Sequence, residues 1–108
     1  MAFKALFLAH APDADYEKHK SIIDTGKYRL LTFVVKTQDE AIKVSKDIYR
    51  KEKIDAIMLC PGFTHSDVSE IFQALDGKVS VNVARGDGPS SKISQQVIQR
   101  EYFDKTEN

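Results

Sequence analysis

Four short apolar runs alternate with four stretches of helical periodicity along 108 residues, and that alternation predicts one α/β domain built on a parallel sheet. A chain of this length can bury a single core but not two. The strand breakers (prolines, glycines and capping hydroxyls) gather where an apolar run gives way to a helical one.

The first run, Phe3 to Ala9, is apolar apart from Lys4, as suits a central strand covered on both faces. His10-Ala11-Pro12-Asp13 ends it, and proline with aspartate could open a helix. Tyr16, His19, Ile22 and Ile23 then fall on one side at helical spacing, so a helix is expected from Asp13 to Thr25, with Gly26 as its stop. Tyr28 to Val35 is the second strand. Thr37 and Glu40 follow at capping-box spacing and open a helix to about Lys51 that buries Ala41, Ile42, Ser45, Ile48 and Tyr49. Ile54 to Leu59 is the third strand, closed by Cys60-Pro61-Gly62-Phe63. Thr64 with Asp67 looks like another cap, and Val68, Ile71, Phe72 and Leu75 form the next helical stripe. Gly77 ends that helix. Lys78 to Ala84 is the fourth strand, and a last helix from Ser91 to Phe103 is expected to bury Ile93, Val97, Ile98 and Tyr102. Residues 104–108 form a polar tail expected to fray.

Right-handed crossovers arrange four such strands as an open parallel sheet of order 2-1-3-4. The prediction is a three-layer, flavodoxin-like or Rossmann-like architecture spanning residues 1–108, with helices on both faces. All strand-to-helix loops then meet at the carboxyl end of the sheet, where ligands of such folds bind. The apolar second strand would lie at an edge, guarded only by Arg29 and Lys36, so a homodimer or higher homo-oligomer is expected.

Sixteen Lys and Arg balance sixteen Asp and Glu, so no basic field is available to attract nucleic acid or membrane. One cysteine excludes an internal disulfide. No apolar stretch approaches the roughly 20 residues of a membrane span, and Met1-Ala2-Phe3-Lys4 lacks the features of a signal peptide. The expected location is the cytoplasm.

The loop Arg85-Gly86-Asp87-Gly88-Pro89-Ser90-Ser91 joins the fourth strand to the last helix. Gly86 and Gly88 can adopt positive φ and converge backbone N–H groups into a nest, the helix adds its dipole, and Arg85 adds charge. Arg85, Gly86, Asp87, Gly88, Ser90 and Ser91 are therefore candidate ligands for a phosphate or carboxylate. In the plainer alternative the glycines only turn the chain and a serine caps the helix. A Walker loop is excluded, because Gly-Pro-Ser-Ser stands where Gly-Lys-Ser/Thr is needed. A dinucleotide fingerprint is excluded too, because Ser91 stands where a third glycine belongs and no strand follows.

Cys60 lies at a strand end before a helix N-terminus, a position that can lower a thiol pKa, though free cysteine more often serves as a small buried hydrophobe. His10, on the neighbouring strand, could act as its base, and His65 is the other histidine within reach. Cys60 and His10 are thus the candidate catalytic pair, with Lys36, Thr64 and His65 as further rim residues. Cys60, His10 and His65 could alternatively hold zinc, but local ligand spacing is lacking, so no metal or cofactor is expected. His19 is read as half-buried packing.

Cys60-Pro61-Gly62-Phe63-Thr64-His65 and Val83-Ala84-Arg85-Gly86-Asp87-Gly88-Pro89-Ser90-Ser91, with Leu8-Ala9-His10-Ala11-Pro12, resemble a small prokaryotic family of unknown function. The resemblance covers essentially the whole chain. It implies a compact α/β domain and transfers no activity or catalytic residue. Two functional classes follow from the residues: a protein that holds a small anion at the rim, and a non-catalytic oligomeric interaction or regulatory module.

Overall fold

Strand β1 (Phe3–His10) lies at the centre of the sheet in the computed structural model, which describes residues 1–104. It pairs in parallel with β3 (Tyr28–Val35) on one side and β4 (Ala56–Leu59) on the other, and β5 (Ser80–Val83) continues the sheet beyond β4 in parallel. For these four strands the order is the predicted 2-1-3-4. The sheet has a fifth member, however. Strand β2 (Lys20–Asp24) runs antiparallel along the outer edge of β3, giving the order β2-β3-β1-β4-β5.

The helix expected from Asp13 to Thr25 is therefore absent. Ala11 to His19 forms turns, closed by Ala14 N–H on the Ala11 carbonyl and by Lys18 and His19 N–H on the Asp15 carbonyl. A hairpin follows. The β-branched pair Ile22-Ile23 suits a strand, and Thr25-Gly26-Lys27 turns the chain with Gly26 at φ 99°. Asp24 Oδ1 accepts from Gly26 N–H, and Thr25 Oγ1 accepts from Tyr28 N–H. Both side chains compete with helix by bonding the backbone locally. The edge of β3 is thus covered, which removes the bare-edge reason for expecting an oligomer.

Helix α1 (Gln38–Glu52) starts on Thr37, whose Oγ1 accepts from Glu40 N–H. The Glu40 carboxylate reaches back one residue further than the capping-box pattern predicts, accepting from Lys36 N–H. Helix α2 (His65–Ala74) carries a complete capping box between Thr64 and Asp67. Ala41, Val44 and Ile48 of α1 and Ile71 of α2 pack on Leu6, Leu8, Leu31, Val35, Ile57 and Leu59 of the sheet, all with little or no exposure. These strand residues share one parity of the register, so the core lies on one face.

Among the described residues, no helix lies on the opposite face. It carries Phe3, Ala5, Phe7 and Ala9 of β1, Ser21 and Ile23 of β2, Tyr28, Leu30, Thr32 and Val34 of β3, Ala56 and Met58 of β4, and Ser80 and Asn82 of β5. The predicted three layers become two. The missing first helix is one cause, since a right-handed crossover from β1 to β3 would have laid it on this face. Helix α3 (Gly88–Ile98), continued by a short π-helical turn (Gln99–Phe103), is the other. It touches none of the remaining helices or strands, and Ile93, Val97, Ile98 and Tyr102 are exposed where burial was expected. The described chain is accordingly elongated, 49 × 29 × 27 Å. Of the tail expected to fray, residues 105–108 lie outside the described residues.

Candidate functional site at the carboxyl end of the sheet

Parallel pairing of β3, β1, β4 and β5 delivers their C-termini to one rim in that order. Lys36 and Thr37 follow β3, His10 ends β1, Cys60 to His65 follow β4, and Ala84 to Ser91 follow β5. Backbone bonds lock neighbouring loops together: Ala11 N–H donates to the Val35 carbonyl, Cys60 N–H to Leu8, and Ala84 N–H to Leu59.

At the centre of this rim the His10 ring stacks on Phe63, with 4.0 Å between ring centroids and 19° between planes. Phe63 is buried beneath it, so the imidazole sits on an apolar floor. That burial pushes the His10 pKa below the ordinary histidine range, while the Asp67 carboxylate pulls in the opposite direction. Gly62 separates His10 from Cys60: a Cβ at residue 62 would stand 3.6 Å from Cys60 Sγ and 3.7 Å from His10 Nδ1. The thiol and the imidazole thus border the same small space, and both are half-buried. Such a pair can exchange a proton once their separation closes to hydrogen-bonding distance. His65 is exposed in the first turn of α2, and Thr64 is engaged in its capping box.

The Arg85-to-Ser91 loop differs from the nest expected of it. The positive-φ glycines among the described residues are Gly26 and Gly77, not Gly86 or Gly88. Gly86 answers a different need, because a Cβ there would come within 2.5 Å of Ser91 Oγ. The N-cap of α3 is Asp87, extended at φ −100° and ψ 135°, and its side chain makes no cap bond. Pro89 occupies the first turn, and Ser91 N–H donates to the Asp87 carbonyl. Arg85, Gly86, Asp87, Gly88 and Ser90 are exposed, with Ser91 half-buried. Among the described residues Arg85 forms no ion pair with Asp87.

Among the described residues there is no group of three or more His, Cys, Asp or Glu able to hold a metal, so the Cys60, His10 and His65 alternative gains no support. No helix among them is long and apolar enough to cross a membrane. A depression of about 800 Å³ lies away from the rim, between α1 and the β2–β3 hairpin. Tyr16, Leu31, Phe33 and Val44 form its floor, and Lys43, Asp47 and Glu52 stand around it. Sequence reasoning missed it because it exists only once β2 replaces a helix. The signal that could have found it is the β-branched Ile22-Ile23 pair ahead of Asp-Thr-Gly.

Neither the curated proteins nor the solved structures yield a match to this chain. A family model does, over residues 3–99, and the chain therefore belongs to the family of unknown function DUF6506.

Proposed function

We propose that this chain is a self-associating α/β module and that the helix-free face of its sheet is the working surface. The observation that carries this reading is the chemistry of that face. Asp, Glu, Lys and Arg make up 30% of the chain, yet none occurs among the fourteen face positions of the five strands. The core face, by contrast, carries Lys4, Lys20, Asp24 and Arg29 on its strands. A sheet face left to water is normally polar, and a contiguous apolar one marks an interaction surface. Phe3, Ile23 and Met58 stand on it 50%, 58% and 37% exposed.

Sedimentation velocity over a range of concentrations tests this reading. The wild-type chain should run as a dimer or higher oligomer. Met58→Lys and Ile23→Lys, at exposed positions that a folded single chain can tolerate, should run as monomers. A wild-type chain that stays monomeric at every concentration would overturn the reading.

A second reading, of an anion held at the rim, is favoured by the start of α3. The first turn of α2 is closed by Thr64 and Asp67, whereas Asp87 offers no side-chain cap to α3 and Arg85 stands exposed beside it. Free first-turn N–H groups attract anions, and a charged hydrogen bond contributes about 1.5–3 kcal/mol. Arg85→Ala should then weaken phosphate binding by about one to two decades in a chemical-shift titration. Saturating phosphate that moves no amide between Gly86 and Ser91 would end this reading.

A further inference from the structure

We infer that α3 of one chain lies across the helix-free sheet face of a second copy, and that the exchange is reciprocal. The inference rests on the self-association proposed above and specifies how it is made.

Among the described residues two surfaces lack a partner, and they match. The first is the charge-free sheet face, with Phe3, Phe7, Met58 and Ile23 standing on it. The second is α3, where Ile93, Val97 and Ile98 recur at i, i+4 and i+5 and are 67%, 41% and 42% exposed. From Ile93 to Gln99 the sequence Ile-Ser-Gln-Gln-Val-Ile-Gln carries no charge. Neither of the other helices could serve. Helix α1 displays Lys43, Lys46, Asp47, Arg50 and Lys51, and α2 displays Asp67 and Glu70 while Ile71 and Leu75 of its apolar stripe are already in the core. Burying such charges on a charge-free face would leave them unpaired.

The dimensions agree. Helix α3 has 11 residues and the π-helical turn 5, about 24 Å at ~1.5 Å per residue. Five strands at ~4.8 Å spacing put about 19 Å between the outer strands. Helix α3 with its π-helical extension is therefore long enough to cross the whole sheet, and the extension's Arg100 and Glu101 pair with each other.

A second copy is the occupant, rather than the chain's own helix, because α3 contacts no part of its own sheet. Folding back would require the short connection Ala84 to Asp87 to be re-aimed. A twofold axis satisfies both surfaces of both chains at once, each copy giving one helix and receiving one.

The test uses full-length chains with Cys60→Ser as background, in two mass-distinguishable forms. One form carries Met58→Cys. The other carries a single cysteine at Ile93, Val97 or Ile98. After mixing and exchange, a short bis-maleimide should yield a covalent heterodimer for at least one α3 position, and Val97→Asp in the otherwise wild-type chain should abolish the dimer in sedimentation. A dimer that persists in Val97→Asp, with no heterodimer captured, overturns the exchange while leaving self-association standing, since the sheets would then pair face to face. In a third form that carries Met58→Cys and the α3 cysteine in one chain, linking confined to single chains shows α3 folded onto its own sheet and also overturns it. A wild-type monomer with no linking overturns both readings.

Discussion

Phe3 and Tyr28, partners in the β1–β3 register, stack with 5.5 Å between ring centroids and 11° between planes on the face that no helix covers. They are 50% and 39% exposed. An aromatic pair contributes about 0.5–1.5 kcal/mol beyond its area, but little of that needs a second chain. Phe3→Ala should therefore lower the melting temperature even of an isolated chain, by several degrees. If the face is an interface, the wild-type melting temperature also rises with protein concentration, because partner binding stabilises the folded state by mass action. Phe3→Lys should abolish that concentration dependence, and scanning calorimetry at two concentrations a hundredfold apart reads it directly.

The hairpin that closes the opposite edge depends on Gly26, whose φ of 99° is disfavoured for residues with a Cβ although the space around it is open. Gly26→Ala should cost about 1 kcal/mol or more through backbone strain alone. In hydrogen exchange the loss should appear first as weaker protection of the β3 amides that face β2, with β1 and β4 unchanged. Equal loss across all strands would show that β2 does not open separately.

How much of this was legible in the sequence differs from element to element. Parallel order follows from alternation and handedness, so the arrival of His10 and Cys60 at one rim on adjacent strands could be read from the chain alone, whereas the place of Gly62 between them could not. The Asp13-to-Thr25 segment could not. Tyr16, His19, Ile22 and Ile23 fit helical spacing, but Ile22-Ile23 fits a strand equally well, and the decision lay with the hydrogen bonds of Asp24 and Thr25. The last helix shows a different limit. Its apolar stripe states which side seeks burial and not what buries it, and among the described residues no helix or strand other than its own π-helical extension approaches α3. At Gly86 the expected reason for glycine was a backbone angle, whereas the observed one is the proximity of Ser91 Oγ.

Arg29 ties β2, β3 and α1 together. Its Nε and Nη2 donate to the two Glu52 carboxylate oxygens at 3.0 and 3.2 Å, and Nη1 donates to Asp24 Oδ2 at 3.0 Å. The Arg29 hydrogen bonds hold the Glu52 carboxyl below its ordinary range, and the Gly26 amide followed by Arg29 does the same for Asp24. Carboxyls depressed in the folded state add stability above their unfolded pKa of about 4 and lose it as pH falls through the folded value. Urea midpoints should therefore drop below pH 4 in the wild type and drop less in Arg29→Gln. Arg29→Lys keeps the charge but cannot make the two-pronged contact, so it should retain only part of the acid response. Identical acid profiles for all three chains would show that the network does not titrate with unfolding.

His10 titrates with the opposite consequence for its charge. Burial on Phe63 depresses its pKa, so the folded chain holds this imidazole neutral at a pH where the unfolded chain has protonated it. The unfolded state then binds more protons, and stability must rise with pH through this window. Its contribution is complete above the unfolded histidine value of about 6.5 and is lost as pH falls from there towards the folded value. Asp67 opposes the depression, so Asp67→Asn should lower the His10 pKa further, and Asp67→Glu, which keeps the charge, should restore most of it. Both substitutions disturb the capping box at Thr64, so a change caused by loosening of α2 would move the pKa in the same direction in both. NMR titration of the His10 ring carbons separates the two causes. The wild type should titrate below 6.5, Asp67→Asn lower still, and Asp67→Glu close to the wild type. In parallel, the urea midpoint should fall between pH 7.5 and pH 5 in the wild type, and by less in His10→Gln. A His10 ring that titrates above 6.5 would mean that Asp67 dominates and that the apolar floor of Phe63 does not set the charge at the centre of the rim.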